Sequence, residues 1–336
     1  MQREPVFFHS GFRTGSTWLW AKARALPTTM AYCEIFHETL SDLTGEGTPS
    51  LSYANWTSKH PKTAPYFLEF LPLVGGGPGV KLYDASMAYD LYVPANGIDG
   101  ALSDPEVAYV ESLIEHASNS DKIPVLTDVR TLGRASALKK AFGGKTVFLH
   151  RNLFHQWASY SKLSLEHIPY FLESIDVIAK ACRHDPTMAI LDDYFRQRTV
   201  AATDERLFAL FLLSHLHFYC NIYDVADLVL DVTEIATDIT QRRQAEVTLS
   251  EWLEAPVDLS DVRRDFELSL VNVADASAFM SVIDQFTKVI AGQAPSPSAA
   301  VFVNAAKDAA LGEWRRFEFY AAALRKLVPN QASPTG

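Results

Sequence analysis

Strand, glycine turn, helix and strand follow one another within the first 36 residues of this chain. PVFFHSG, residues 5–11, is an apolar run bounded by Pro5 and Gly11, the pattern of a short buried strand. STWLWAKARAL, residues 16–26, has helical character, with Ser16 or Thr17 suited to cap it and Pro27 beyond its end. TMAYCEIF, residues 29–36, is a second strand that ends in an acid. A strand, helix and strand in about 35 residues is the size of a parallel βαβ unit, in which the helix makes the crossover that parallel strands need. The opening therefore commits the chain to an α/β architecture.

The alternation resumes further on. A helix is predicted over 106–118, a strand over 122–129, a helix over 133–142, a strand over 145–151 and a helix over 152–163. A helical region follows over 168–224. DLVLDVTEI (227–235) is a late strand, 238–254 a helix, and LGEWRRFEFYAAALRKL (311–327) a closing helix. AGQAPSPSAA (291–300) has the composition of a flexible loop. Residues 41–100 are irregular and rich in turn residues and aromatics, the composition of an insertion or lid. The expected fold is a three-layer, P-loop-NTPase-like parallel sheet flanked by helices, with that lid and a helical C-terminal half, in one domain over 1–336. No internal repeat is visible.

With 336 residues and 48% hydrophobic content, the chain can bury a full core. A net charge of −10 excludes a general nucleic-acid binder, whose surface would be basic. It leaves room for a local basic pocket around one anion. Cys33, Cys182 and Cys220 are sparse and far apart, which predicts buried thiols in a reducing compartment. LFALFLLSHLHFYCNIY (207–223) is the most membrane-like stretch. It is short for a span and carries His215, His217 and Asn221, so a buried helix is expected and no transmembrane span. No targeting segment is visible, and a cytoplasmic location is the expectation. No histidine spacing supports a metal site.

The turn FRTGST between the first strand and helix is suited to an oxyanion. Backbone N–H groups and the positive end of the helix dipole face whatever sits there. Ser16 and Thr17 add hydroxyls, and Arg13 adds a forked cation that matches phosphate or sulfate oxygens. It is a poor site for a magnesium nucleoside triphosphate. Gly11 and Gly15 are spaced GxxxG, one residue short of a Walker loop, and Ser16 stands where its lysine would be. The strand ending at Asp231 would supply a magnesium partner, so a kinase-like transferase remains as an alternative, as does a non-catalytic nucleotide-binding scaffold.

FRTGSTW resembles the 5′-phosphosulfate loop of sulfotransferases that use 3′-phosphoadenosine 5′-phosphosulfate (PAPS), over Arg13, Thr14, Gly15, Ser16, Thr17 and Trp18. VFLHRNLFHQWASYSKL resembles that family's 3′-phosphate motif, in which an arginine ends a strand and a serine follows eight residues later; Arg151 and Ser159 match. KDAALGEWRRF resembles a C-terminal loop that covers the nucleotide, with Lys307, Gly312, Trp314 and Arg315 in matching positions, although the basic step before the glycine is incomplete.

The resemblance implies sulfuryl transfer from PAPS to a hydroxyl, with no metal required. Arg13 would stabilise charge at the bridging oxygen, Ser16 and Thr17 would hold the 5′-phosphate, and Trp18 would stack on adenine. Glu34 is the first candidate for the base, in the acid-bearing end of the second strand, followed by His37 and Glu38. The third strand, PVLTDVR, lacks the Lys-Thr-His of the cytosolic branch that acts on phenols and steroids, which favours a bacterial or carbohydrate-like branch. Asp128 is then a secondary base candidate, and Arg130 and Arg134 are candidates for sulfate or acceptor contacts. The acceptor region is expected over 41–100 and 165–225. The aromatic density of 53–93 suits a glycan, glycolipid or small-molecule hydroxyl. Oligomeric state is not readable from the sequence.

Overall fold

The computed structural model describes residues 3–45, 65–263 and 269–327. Residues 53–64 of the aromatic stretch 53–93 lie outside them. Five strands form one parallel sheet: β1 (Val6–Ser10), β2 (Thr29–Cys33), β3 (Ile123–Asp128), β4 (Lys145–His150) and β5 (Leu228–Asp231). Their spatial order is β2-β3-β1-β4-β5. The register aligns His9 with Asp128, Ser10 with Leu149 and His150 with Asp231, so the carboxyl ends finish level. From the central β1 the chain crosses to β2 on one side, and from β4 it later crosses to β5 on the other. Such a reversal leaves a crevice at the carboxyl edge where ligands bind in open α/β sheets.

Helices cover both faces. One buried cluster packs α1 (Ser16–Arg24), α2 (Asp104–Asn119) and α9 (Ile239–Trp252) against the sheet through Leu19, Trp20, Leu113 and Leu249. The other gathers α4 (Leu153–Leu165), α5 (Tyr170–Ala181), α6 (Pro186–Tyr194), α7 (Glu205–Tyr223), α10 (Ala276–Gly292) and α11 (Pro297–Leu327) beside Phe148. The remaining short helices are α3 (Ala135–Phe142) and α8 (Val232–Thr237). α7 is buried along nearly its whole length, as its apolar sequence requires. No helix among the described residues is long and apolar enough to cross a membrane. All three cysteines are buried and free.

Several predicted boundaries move, each for a local reason. The second strand stops at Cys33, three residues early, because Glu34 takes a left-handed φ of 49° and the chain leaves the sheet. The late strand stops at Asp231, whose carboxylate accepts the Thr233 and Glu234 amides and starts α8. The segment 291–300 is no flexible loop. α10 ends at Gly292, Ser296 accepts the Ala299 N–H, and α11 begins at Pro297, a residue preorganised for a helix start. α11 thus begins well before the expected position 311, and α10 itself went unpredicted. Residues 65–100 keep the irregular character expected of them, with short 3₁₀ turns at Leu68–Leu73 and Ala85–Met87.

Candidate functional site

The turn after β1 is built by three conformational choices. Arg13 has φ 62° and Gly15 has φ 97°, so the chain turns left-handed twice before α1. Glycine takes that geometry freely, whereas for arginine it stores strain of about 1 kcal/mol or more. The Thr14 hydroxyl donates to the Gly11 carbonyl across 2.8 Å and closes the turn. α1 then opens at Ser16, and its first turn carries no acidic side chain of its own to offset its N–H groups and positive dipole end.

Two motifs far apart in sequence meet here. Arg13 Nε donates to Ser159 Oγ at 3.1 Å, and the guanidinium carbon lies 5.5 Å from the centre of the Phe171 ring. Ser159 is buried on α4, and Arg151 follows β4 directly at the same sheet edge. The turn after β1 and the helix after β4 therefore share one cationic side chain.

A second cluster lies at the ends of β2 and β3. Asp128 is fully buried. Its Oδ2 accepts the Phe36 N–H at 2.6 Å and its Oδ1 accepts the Arg130 N–H. Burial pushes its carboxyl above the ordinary aspartate value, against the pull of Arg130 and the two amides. With both oxygens committed inside the protein, Asp128 is a peg for the Glu34–Glu38 segment and not a base facing a substrate. Arg130, also expected at the substrate surface, is likewise fully buried. It donates to Glu34 Oε2 at 2.7 Å, to Glu38 Oε2 at 2.9 Å and to the Tyr170 hydroxyl at 2.7 Å. Tyr170 donates in turn to Glu38 Oε1 at 2.9 Å and meets the Tyr89 hydroxyl at 2.7 Å. Burial raises the Glu38 carboxyl, but Arg130, His37 and Tyr170 outweigh it and leave its pKa below the usual value. Arg134 contacts neither a surface acid nor the crevice. It is buried against Glu106 at 2.9 Å and the Met87 carbonyl at 2.6 Å, tying α2 to the 85–88 turn.

His37 is buried beside these acids. Its Nδ1 accepts the Thr39 N–H at 3.1 Å, so the ring proton of the neutral form sits on Nε2, 3.7 Å from Glu34 Oε2. Burial, then the charge of Arg130, lower its pKa below the ordinary histidine value. The Phe12 ring joins the two clusters. It lies 5.1 Å from the Arg130 guanidinium and packs edge-on against Tyr170 and Phe171, the ring that carries Arg13.

No protein-family model matches the chain, and no curated protein matches it in sequence. Among solved structures, the sulfotransferase domain from the Synechococcus PCC 7002 olefin synthase is similar at 13% identity. The match covers 90% of this chain and 94% of that one, with a TM-score of 0.34.

The other predicted site residues fall in different surroundings. Trp18 is half-buried, and its Nε1 donates to Asp261 at 3.0 Å, beside the Lys22–Asp261 ion pair. The C-terminal segment is not a loop but the middle of α11. There Lys307 pairs with Asp284 of α10 at 2.6 Å, Trp314 is buried against Phe279, Gly312 is exposed, and Arg315 is exposed beside Met280. Sequence reasoning missed Tyr170 and Tyr89, and also Gln156, whose Nε2 donates to the Phe12 carbonyl, and its neighbour His215. Nothing in their spacing marks them, because each enters the site from a helix or turn whose packing only the folded chain decides.

Proposed function

We propose that this chain is a sulfotransferase that moves a sulfuryl group from PAPS to a hydroxyl of a glycan, glycolipid or small-molecule acceptor. The observation that carries this reading is the Arg13–Ser159 hydrogen bond. It joins the two segments that would hold the two ends of the donor, one after β1 and one after β4, at the crevice where the sheet order reverses. The residues fit an anion there: a left-handed glycine turn, an open helix start, two hydroxyl side chains and a cation.

In this reading Ser16, Thr17 and the turn amides hold the 5′-phosphate, Arg151 and Ser159 hold the 3′-phosphate, and Arg13 stabilises the charge that develops on the leaving phosphate. The acceptor oxygen attacks sulfur in line. The new O–S bond forms as the S–O bond to the phosphate breaks, and the acceptor proton passes to a base. Glu34 is favoured over His37 for that base. The Nδ1 lone pair of His37 is taken by the Thr39 N–H, and its proton faces Glu34, so it can orient the carboxylate but offers no free lone pair to an acceptor. Trp18, Lys307, Trp314 and Arg315 are engaged with other partners, and neither they nor the exposed Gly312 is assigned to the nucleotide.

Calorimetric titration with adenosine 3′,5′-bisphosphate and, separately, with ATP and magnesium tests the proposal. Binding of the bisphosphate, with sulfuryl transfer from labelled PAPS to a hydroxyl acceptor, supports it. Binding of ATP with magnesium and no response to the bisphosphate would sink it in favour of a kinase-like transferase.

A further inference from the structure

The underside of the β1 turn rests on a polar contact between α4 and α7. Gln156 is fully buried, and its Nε2 donates to the Phe12 carbonyl at 2.7 Å. The Tyr160 hydroxyl reaches the same carbonyl at 3.3 Å. His215 Nδ1 lies 2.8 Å from the Phe211 carbonyl, which accepts its proton. That leaves a lone pair on His215 Nε2, 3.4 Å from Gln156 Nε2, which shares the second amide hydrogen with the Tyr160 hydroxyl at 3.3 Å. Reversing the Gln156 amide would set its oxygen against both the Phe12 carbonyl and the histidine lone pair, so the donor assignment follows from the partners. Gln156 Oε1 has no partner among the described residues, consistent with a side chain placed for what its nitrogen holds.

Gly11 is part of the same fit. A Cβ there would lie 2.8 Å from Gln156 Nε2 and 3.2 Å from His215 Nε2. The first glycine of the turn is therefore needed for close approach of this amide and histidine, not for a left-handed φ.

The Phe12–Arg13 peptide is trans, so its carbonyl and its N–H lie on opposite sides. Holding the Phe12 carbonyl down on Gln156 turns the Arg13 N–H away from α4 and fixes the peptide that precedes the strained Arg13. We propose that Gln156, braced by His215, is a positioning residue that sets the conformation of the anion-binding turn and so governs the 5′-phosphate end of the donor site. This inference rests on the sulfotransferase reading above. It predicts that loss of the contact weakens one end of the donor and spares the other.

The experiment compares adenosine 5′-monophosphate with adenosine 3′-monophosphate by calorimetry. The proteins are wild type, Gln156→Leu and Gly11→Ala, each checked for folding by circular dichroism. Gln156→Leu should lower affinity for the 5′-monophosphate about tenfold, the scale of one buried hydrogen bond, and change affinity for the 3′-monophosphate less than twofold. Gly11→Ala displaces the same amide from the other side without altering α4, and should give the same selective loss if Gln156→Leu does not fold. Equal losses for both nucleotides, or no loss for the 5′-monophosphate, overturn the positioning role while leaving the donor site intact. Failure of the wild type to bind either nucleotide overturns the donor site itself, and the positioning role with it.

Discussion

Arg13 and Ser159 stand 146 residues apart in the chain, yet Arg13 Nε donates to Ser159 Oγ across 3.1 Å. The bond couples a strained turn to a buried helical hydroxyl, so the two act as a unit. Arg13→Ala should lower sulfuryl transfer by roughly 10²–10³-fold, the range for loss of one preorganised charge-stabilising donor. Ser159→Ala should cost about tenfold, one hydrogen bond of this kind. The double variant should be little worse than Arg13→Ala alone, because the serine has then lost the partner it orients. Initial rates with labelled PAPS measure all three, and full additivity would show that the bond is incidental.

The neighbouring acids make a separable prediction. Glu34→Gln keeps size and a hydrogen-bond acceptor for Arg130 but cannot take a proton, so turnover at saturating donor should fall by about 10²–10⁴-fold. His37→Gln keeps a polar neighbour for Glu34 and should cost about tenfold or less. Affinity for adenosine 3′,5′-bisphosphate should be unchanged in both. A larger turnover loss for His37→Gln than for Glu34→Gln would reverse the base assignment.

The sheet was legible because its signals are local. Apolar runs end at Gly11, at Asp128 and at Arg151, and the alternation of strand and helix patterns leaves few topologies open. The glycine turn after β1 and the step from β4 into α4 at Arg151 were legible for the same reason. What was not legible depends on long-range packing. Asp128 and Arg130 look like surface groups in PVLTDVR, yet the Glu34–Glu38 segment folds over them and makes them a buried peg and a buried ion pair. His155 is buried on α4 beside α11, with Glu313 3.3 Å away, a contact that its local sequence does not mark. The family resemblance put Lys307 to Arg315 in a loop, against the helical pattern that residues 311–327 carry by themselves. The helical run from Pro297 that carries them through is set by contact with α4, α7 and α10.

Two buried histidines give the fold a sign-defined pH dependence. Burial lowers His9 to about 3 and His215 to about 4 from an ordinary value of 6.5. Both are neutral in the folded protein at pH 5, whereas in the unfolded chain they are mostly protonated. The unfolded state then binds more protons, so stability falls as pH drops below about 6.5 and continues to fall toward the folded values. Each histidine should remove about 1.5 kcal/mol between pH 6.5 and 5. Urea unfolding at the two pH values checks this. His37 and His150 are lowered by burial in the same sense, so His215→Leu should remove only its own share, about 1.5 kcal/mol of the fall, and an unchanged slope would show that His215 takes up no extra proton on unfolding.

Gly144 joins the starts of β1 and β4. It has φ 74°, and a Cβ at this position would lie 2.3 Å from the Pro5 carbonyl oxygen, which already accepts the Lys145 N–H at 2.9 Å. That oxygen cannot retreat without breaking the first bond between β1 and β4, the central strand pair under the site. Gly143 also has a positive φ, 64°, but a Cβ there meets nothing within 4 Å. Gly143→Ala should therefore cost only the backbone strain, about 1–2 kcal/mol, while Gly144→Ala should cost at least about 3 kcal/mol by adding a clash with main chain. Denaturant midpoints at constant slope measure the difference. Equal losses at the two glycines would mean that β1 and β4 can part at Pro5 without cost to the sheet.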